Sequence, residues 1–257
     1  MRIATWNING LRARFDYLKL WLEERQPDLL GLQELKLTED KFPFEDLLEV
    51  GYHAQAHGQK AWNGVAVLSK KKVEVVQKGL PGQDDFGSRM IHVKTDNLSF
   101  ITIYAPNGKN LSHADYAKKL EWYDELTNYL KNAQFSASPS ILCGDFNICP
   151  TPLDTWDEER LEGEIFHTTA ERDRILKLNA CGLNDIFREF NPSSRDFSWW
   201  DYRGGAFYKN HGLRIDFLYG SSDILSSVHT STIDRDYRKK KEGLTASDHA
   251  PVIADIE

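Results

Sequence analysis

Cysteine is scarce in this chain of 257 residues: Cys143, Cys149 and Cys181 are all it has. An odd count without a Cys-x-x-Cys pair argues against a disulfide framework or a cysteine-built zinc site. It points to a reducing, cytoplasmic setting. Long apolar runs are missing too. No stretch approaches the roughly 18 consecutive apolar residues of a membrane-spanning helix, so no membrane partner is expected. Met1-Arg2-Ile3-Ala4-Thr5-Trp6 reads at once as a strand, without a basic-then-apolar leader. Positive charge is not in excess either: the formal net charge is −7. That counts against a protein that coats nucleic acid through bulk charge. It leaves room for an enzyme with a local basic face, because a bound divalent cation offsets acidic groups. Basic residues do gather locally, at Arg12 and Arg14, at Lys70–Lys72 and from Arg235 to Lys241. Short-period repeats and low-complexity linkers are absent. With 28% charged and 40% hydrophobic residues, the composition suits one soluble domain over 1–257 with a substantial core.

The apolar pattern predicts strands at 2–8, 29–34, 52–57, 64–69, 89–95, 98–104, 140–145, 214–219 and 251–256. It predicts helices at 11–25, at 113–131 after Ser112 as N-cap, and at 169–181. The last opens on a capping box, Thr168 with Glu171, and stops at Gly182. Mixed strands and helices with strands in the majority indicate an α/β layered domain.

Five segments place chemistry at strand ends: Thr5-Trp6-Asn7-Ile8-Asn9-Gly10, Leu32-Gln33-Glu34-Leu35-Lys36, Leu142-Cys143-Gly144-Asp145-Phe146-Asn147, Leu213-Arg214-Ile215-Asp216-Phe217 and Ser247-Asp248-His249-Ala250-Pro251-Val252. Glu34 beside Asn7 suits a hard cation such as Mg²⁺, which takes one or two carboxylates and keeps several waters. A solvent-facing strand-end glutamate is the plainer alternative. Asp145 and Asn147, two apart, would share one side of an extended segment with Phe146 turned into the core. An Asx turn is the alternative there. Asp216 and His249 form a candidate dyad in which the carboxylate orients the imidazole and raises its pKa. Asp248 could join the metal, and the Tyr104 hydroxyl could donate to a phosphate. Trp199, Trp200 and Arg203, followed by a glycine-rich stretch with Phe207 and Lys209, suit stacking on bases and sugars beside phosphate contacts. One of the two tryptophans is expected in the core and one lining a pocket.

Taken in order, these motifs closely resemble the exonuclease III / AP (apurinic/apyrimidinic) endonuclease family of the endonuclease–exonuclease–phosphatase superfamily. The resemblance runs nearly end to end. It implies a four-layer α/β sandwich, two packed mixed β-sheets flanked by helices. It implies Mg²⁺, with Mn²⁺ as substitute, at Glu34 with Asn7 and Asp248 near by. Asp145 would activate water or assist the leaving group. Asn147, Tyr104 and His249 would hold the phosphate, with Asp216 behind His249. Trp199, Leu213 and Ile215 would line the pocket for an extrahelical sugar. Asn9, Lys36 and Asn107, carried by the same motifs, are expected substrate contacts, and Arg203, Phe207 and Lys209 are expected in the DNA grooves. Phe166 maps beside the sugar pocket, where its ring would crowd a continuous duplex and favour 3′ ends; a hydrophobic staple packed on its own helix is the plainer alternative. The implied activity is incision 5′ to abasic sites, removal of 3′ blocks and nucleotides, or both. The implied partner is double-stranded DNA, met by a monomer. The competing expectations are a phosphatase or diesterase acting on a small phosphorylated ligand or lipid, and a non-catalytic DNA-end-binding module.

Overall fold

The computed structural model describes all of residues 1–257. Twelve strands form two six-stranded sheets. The first contains β1 (Arg2–Asn7), β2 (Leu29–Gln33), β3 (His53–His57), β4 (Val65–Ser69), β11 (Val228–Ile233) and β12 (Val252–Ile256), in the order β11-β12-β1-β2-β4-β3. The second contains β5 (Glu74–Lys78), β6 (Met90–Lys94), β7 (Ser99–Tyr104), β8 (Ser140–Asp145), β9 (Leu183–Asp185) and β10 (Asp216–Ser221), in the order β5-β6-β7-β8-β10-β9. Each sheet holds one parallel pair, β1 with β2 and β7 with β8, among antiparallel neighbours. A parallel pair needs a crossover. The helix Leu11–Arg25 supplies the first and the helix Ala114–Asn132 the second.

Both faces of both sheets are covered, which is why the central strands read as near-continuous apolar runs. Ile3, Leu29, Val67, Ile91, Phe100, Ile141 and Leu218 pack between the sheets. On the outer face of the first sheet, Trp6, Leu30 and Leu32 meet Tyr17, Leu18 and Trp21 of the first helix. On the outer face of the second, Ile101, Leu142 and Phe146 meet Trp122, Tyr123 and Leu126, with Ile175 and Leu178 of the helix Thr169–Asn179. The expected sandwich of two mixed sheets between helical layers is present. No helix is long and apolar enough to cross a membrane.

Three strands, β5, β9 and β11, lie outside the predicted set. Each is a sheet edge, β9 has three residues, and β5 and β11 carry register shifts. Short, bulged, half-exposed edges lack the apolar periodicity that marks a central strand. The helix predicted after Ser112 starts one residue later: His113 is the N-cap, its Nδ1 accepting from the Asp115 N–H at 3.0 Å. The capping box at Thr168 and Glu171 is formed as expected.

Parallel crossovers send the C-terminal ends of β1, β2, β7 and β8 to one edge of the sandwich, and their antiparallel neighbours β10 and β12 begin there. Asp216 lies opposite Asp145 in register, and Tyr104 opposite Asp145 on the other side. Gly144 makes this convergence possible. Its φ is +139°, and a Cβ there would sit 1.9 Å from the Ile103 carbonyl oxygen. Backbone cannot yield as a flexible side chain can, so Gly144→Ala is expected to destabilise by more than about 4 kcal/mol. Urea unfolding checks this, and a loss under about 1 kcal/mol would contradict it.

Candidate active site

Glu34, Asp145 and His249 each present one ligand-capable atom, and these atoms lie within 4.8 Å of one another. Asn7, fully buried at the end of β1, braces the two acids. Its Nδ2 donates to Glu34 Oε1 at 2.9 Å and to Asp145 Oδ2 at 2.8 Å. Its Oδ1 accepts from the Asn9 N–H at 2.9 Å, which fixes the amide orientation. Asn7 therefore holds the carboxylates through its nitrogen, and its oxygen is engaged elsewhere. Glu34 sits at φ +52°, a left-handed turn that swings its side chain out of the strand and over the neighbouring ends. Lys36 Nζ lies 2.9 Å from Glu34 Oε2 and donates to Asn9 Oδ1 at 2.5 Å.

Asp145 is buried, and burial pushes its pKa up to about 8, helped by the negative charge of Asp216 and opposed by His249. His249 Nδ1 lies 2.8 Å from Asp216 Oδ2, and its Nε2 lies 3.9 Å from Asp145 Oδ2. Because Nδ1 faces a carboxylate it carries a proton. Burial opposes charge on the ring, but Asp216 outweighs it and raises the pKa to about 10. Ser198, buried and unread in the sequence, donates to Asp216 Oδ2 at 2.6 Å and accepts from the Ile215 and Asp216 N–H groups at 3.1 Å. Asp216 Oδ1 is buried without a hydrogen-bond partner. The closely spaced carboxylates of Glu34 and Asp145, the second raised by burial, form an oxygen-rich, electron-rich centre. Such a donor set fits a hard divalent cation, which would relieve the repulsion.

Asn147 does not extend beside Asp145. Its φ is +50°, and its N–H donates to Asp145 Oδ1 at 3.0 Å. The Asx turn and the site are therefore the same feature: the turn brings both side chains to the cleft while Phe146 points into the core. Asn107, exposed, donates weakly to Asn147 Oδ1 at 3.5 Å. Beneath them Lys119, fully buried, pairs with Glu171 of the capping box and donates to the Asn147 carbonyl at 2.7 Å. The Tyr104 pKa is raised well above its usual value by burial and by Glu34 and Asp145, so its hydroxyl stays a donor. Arg89 lies over the Tyr104 ring at 5.0 Å. No motif marked Arg89 in the sequence.

Trp199, Leu213, Ile215 and Phe166 come together around Cys149 as an apolar wall beside the acids. Trp200 is core, as expected of one of the two tryptophans, and Trp199 is half-buried. Alternation along 213–216 turns Arg214 away from this wall and into a buried pairing with Asp154 and Asp185. Phe166 stands at φ +74° with Lys119 Nζ 4.7 Å from its ring centroid. Phe207 falls elsewhere than expected. It is 9% exposed, edge-on to Trp200 and under Arg235, so it packs the loop and cannot be the part that projects. The projecting aromatic is Tyr208, 92% exposed, with Arg203 and Lys209 exposed beside it. Asp248 lies at the same edge, hydrogen-bonded through both carboxylate oxygens. Its Oδ1 accepts from Asn9 Nδ2 at 2.7 Å and its Oδ2 from Trp199 Nε1 at 3.0 Å. Trp62, another unread residue, is 70% exposed, and Lys36 Nζ lies 5.8 Å from its ring.

Acid cluster, histidine–aspartate pair and apolar wall at converging strand ends define a hydrolase of phosphate esters. The Endonuclease/Exonuclease/phosphatase family matches residues 4–249. Exodeoxyribonuclease III of Haemophilus influenzae is 36% identical over the full length of both chains. The 3′ phosphatase NExo from Neisseria, bound to a product DNA hairpin, superposes with a TM-score of 0.96 at 34% identity, covering 100% of this chain and 99% of that one. An AP endonuclease from Archaeoglobus fulgidus superposes with a TM-score of 0.95 at 30% identity, covering 100% and 99%. The chain belongs to the Endonuclease/Exonuclease/phosphatase family, in its exonuclease III / AP endonuclease branch, and is a nuclease.

Proposed function

We propose that this chain is a Mg²⁺-dependent DNA-repair nuclease that clears 3′-blocked ends in preference to cutting internal abasic sites. It would act as a single catalytic domain and a monomer on double-stranded DNA of the base-excision pathway. The observation that carries this reading is the convergence of Glu34, Asp145 and the Asp216–His249 pair beside the wall of Trp199, Leu213 and Ile215. Acids alone would suit any phosphate ester. An apolar wall next to them suits a sugar without its base, and the exposed Arg203, Tyr208 and Lys209 suit a duplex. A small phosphorylated ligand has no need of that projecting loop, and a non-catalytic binding module has no need of the buried acid–histidine set.

Glu34 and Asp145 would hold the cation, with Asn7 fixing their spacing, and Mn²⁺ would substitute. When bound, the cation supplies charge stabilisation to the phosphate and the leaving oxygen. Asp145, whose carboxyl burial makes a better proton acceptor, takes the proton of the attacking water. His249 keeps its proton and donates from Nε2 to a phosphate oxygen, with Asp216 holding the ring. Tyr104 donates to a second oxygen, and Asn147 and Asn107 border the same phosphate. Lys36, Asn9, Arg203 and Lys209 steer the backbone.

The preference for 3′ ends rests on Phe166, which packs in one apolar cluster with Leu213, Ile215 and Trp199, where its ring would crowd a continuous duplex. End-labelled duplexes carrying a 3′-phosphate, an internal abasic site or a mismatched 3′-hydroxyl test the reading with Mg²⁺ and with EDTA. Release of 3′-phosphate faster than abasic incision, and nothing in EDTA, is expected. Equal rates would overturn the preference, and full activity in EDTA would overturn the metal dependence.

A further inference from the structure

We infer that the stacked rings of Trp156 and His211 form a second nucleobase site, which takes an unpaired base on the 3′ side of the strand held in the sugar pocket. The inference rests on the proposed function for the path of that strand. The two ring centroids lie 3.9 Å apart, with the planes 15° from parallel. Each residue is half-buried, so the stack keeps a face to solvent. The pair lines a cleft of about 390 Å³ together with Arg195, Phe197, Lys209 and Asn210. Two of these side chains are cations, and no acid lines the cleft. A flat aromatic face beside cations suits a base and its phosphate, whatever the base.

The cleft continues the apolar wall. Thr155 forms an antiparallel bridge with Leu213, Leu213 with Trp199, and Trp199 with His249. The Trp156 N–H donates to the Gly212 carbonyl at 3.1 Å, which keeps Trp156 in the same row. It therefore lies two strand spacings beyond Trp199, roughly 10 Å, on the side away from the histidine. Its indole packs on the wall cluster and also on the cluster of Phe197 and Phe207 beneath the projecting loop. His211 is held from the loop side, its N–H donating to the Ala206 carbonyl at 2.9 Å. Arg195 Nη2 donates to the Thr155 and Trp156 carbonyls at 2.8 and 3.0 Å. That pins a cation at the rim, and its other N–H groups suit a phosphate. When a sugar lies at the wall on the 3′ side of the scissile phosphate, the strand beyond it runs 3′ toward this cleft. A paired base is held in the duplex and cannot turn onto the stack. An unpaired base can, so the cleft selects frayed or extended 3′ ends.

The test compares four duplex ends bound in EDTA: blunt, with two unpaired 3′ nucleotides, with two unpaired 5′ nucleotides, and with two abasic units in place of the 3′ nucleotides. The outermost unpaired base is 2-aminopurine, whose fluorescence falls on stacking. The wild type should bind the 3′-extended duplex about tenfold tighter than the blunt one, the size of one stacked base, and should quench the aminopurine. His211→Ala should lose both effects, with blunt-duplex affinity within about twofold of wild type. His211→Tyr, which keeps a flat ring, should retain both. Trp156 also packs on the wall, so Trp156→Leu, which keeps an apolar side chain there, serves as the second variant and should lose the quenching. Equal binding of blunt and 3′-extended duplexes by the wild type would overturn the inference. So would an equal gain from the 5′ extension or from the abasic units, or an advantage that survives both His211→Ala and Trp156→Leu. If the wild type releases no 3′-phosphate with Mg²⁺, the proposed function falls, while binding and fluorescence in EDTA still decide whether the stack takes a base.

Discussion

Asp145→Asn is expected to lower kcat by about 10³- to 10⁴-fold while leaving DNA affinity nearly intact, the scale of a lost proton acceptor. Asparagine keeps the volume and can still meet Asn7, so the fold should hold. What it loses is the buried carboxylate that accepts a proton and helps to hold the cation. Burial and Asp216 push this group up to about 8, and a cation beside it favours the charged form and lowers it again. In the wild type, activity should therefore rise with pH as Asp145 deprotonates, with the acid limb below about 8 when Mg²⁺ is present. That limb should vanish in the variant. Stopped-flow cleavage between pH 5 and 9 checks both expectations. A variant within tenfold of wild type, or one that keeps the acid limb, would assign the proton transfer to another group.

The next largest effect is expected from the Asp216–His249 pair. Asp216→Asn and His249→Asn should each lower kcat by about 10²- to 10³-fold, and the double variant should be no slower than the worse single one. The reason is geometric: Asp216 Oδ2 lies 2.8 Å from His249 Nδ1, while Nε2 is the end turned toward Asp145. Asp216 then acts through the imidazole. A double-mutant cycle on kcat measures it, and costs that multiply would mean that the two residues act separately.

Most of the candidate site was legible because strand ends are legible. Asn7, Glu34, Tyr104, Asp145 and His249 each follow or precede an apolar run, and parallel crossovers bring such ends to one edge. Two kinds of information were hidden. One is which atom faces which. The extended reading of Asp145 and Asn147 gave way to an Asx turn, because a left-handed φ at Asn147 leaves no trace in hydrophobic pattern. Asp248 reads as one more acid, and its two hydrogen bonds depend on where Trp199 and Asn9 arrive in space. The other is what lies beneath. Lys119 with Glu171, and Ser198 behind Asp216, are buried polar braces whose partners are far away in sequence, so no local motif marks them. Phe207 and Tyr208 show the same limit on the surface. Two aromatics side by side cannot both pack on Trp200, and only the backbone of 203–209 decides that Phe207 turns in and Tyr208 out.

The central claim is that the carboxylates of Glu34 and Asp145 hold the divalent cation that the reaction needs. A Mn²⁺ titration followed at once by electron paramagnetic resonance and by release of 3′-phosphate tests it most directly, on the wild type and on Glu34→Gln. Glutamine keeps the volume and removes the charge. In the wild type, bound Mn²⁺ and rate should saturate together. In Glu34→Gln, the affinity should fall by at least about tenfold, with kcat only partly restored at high Mn²⁺. Wild-type Mn²⁺ binding or wild-type turnover in Glu34→Gln would contradict the assignment.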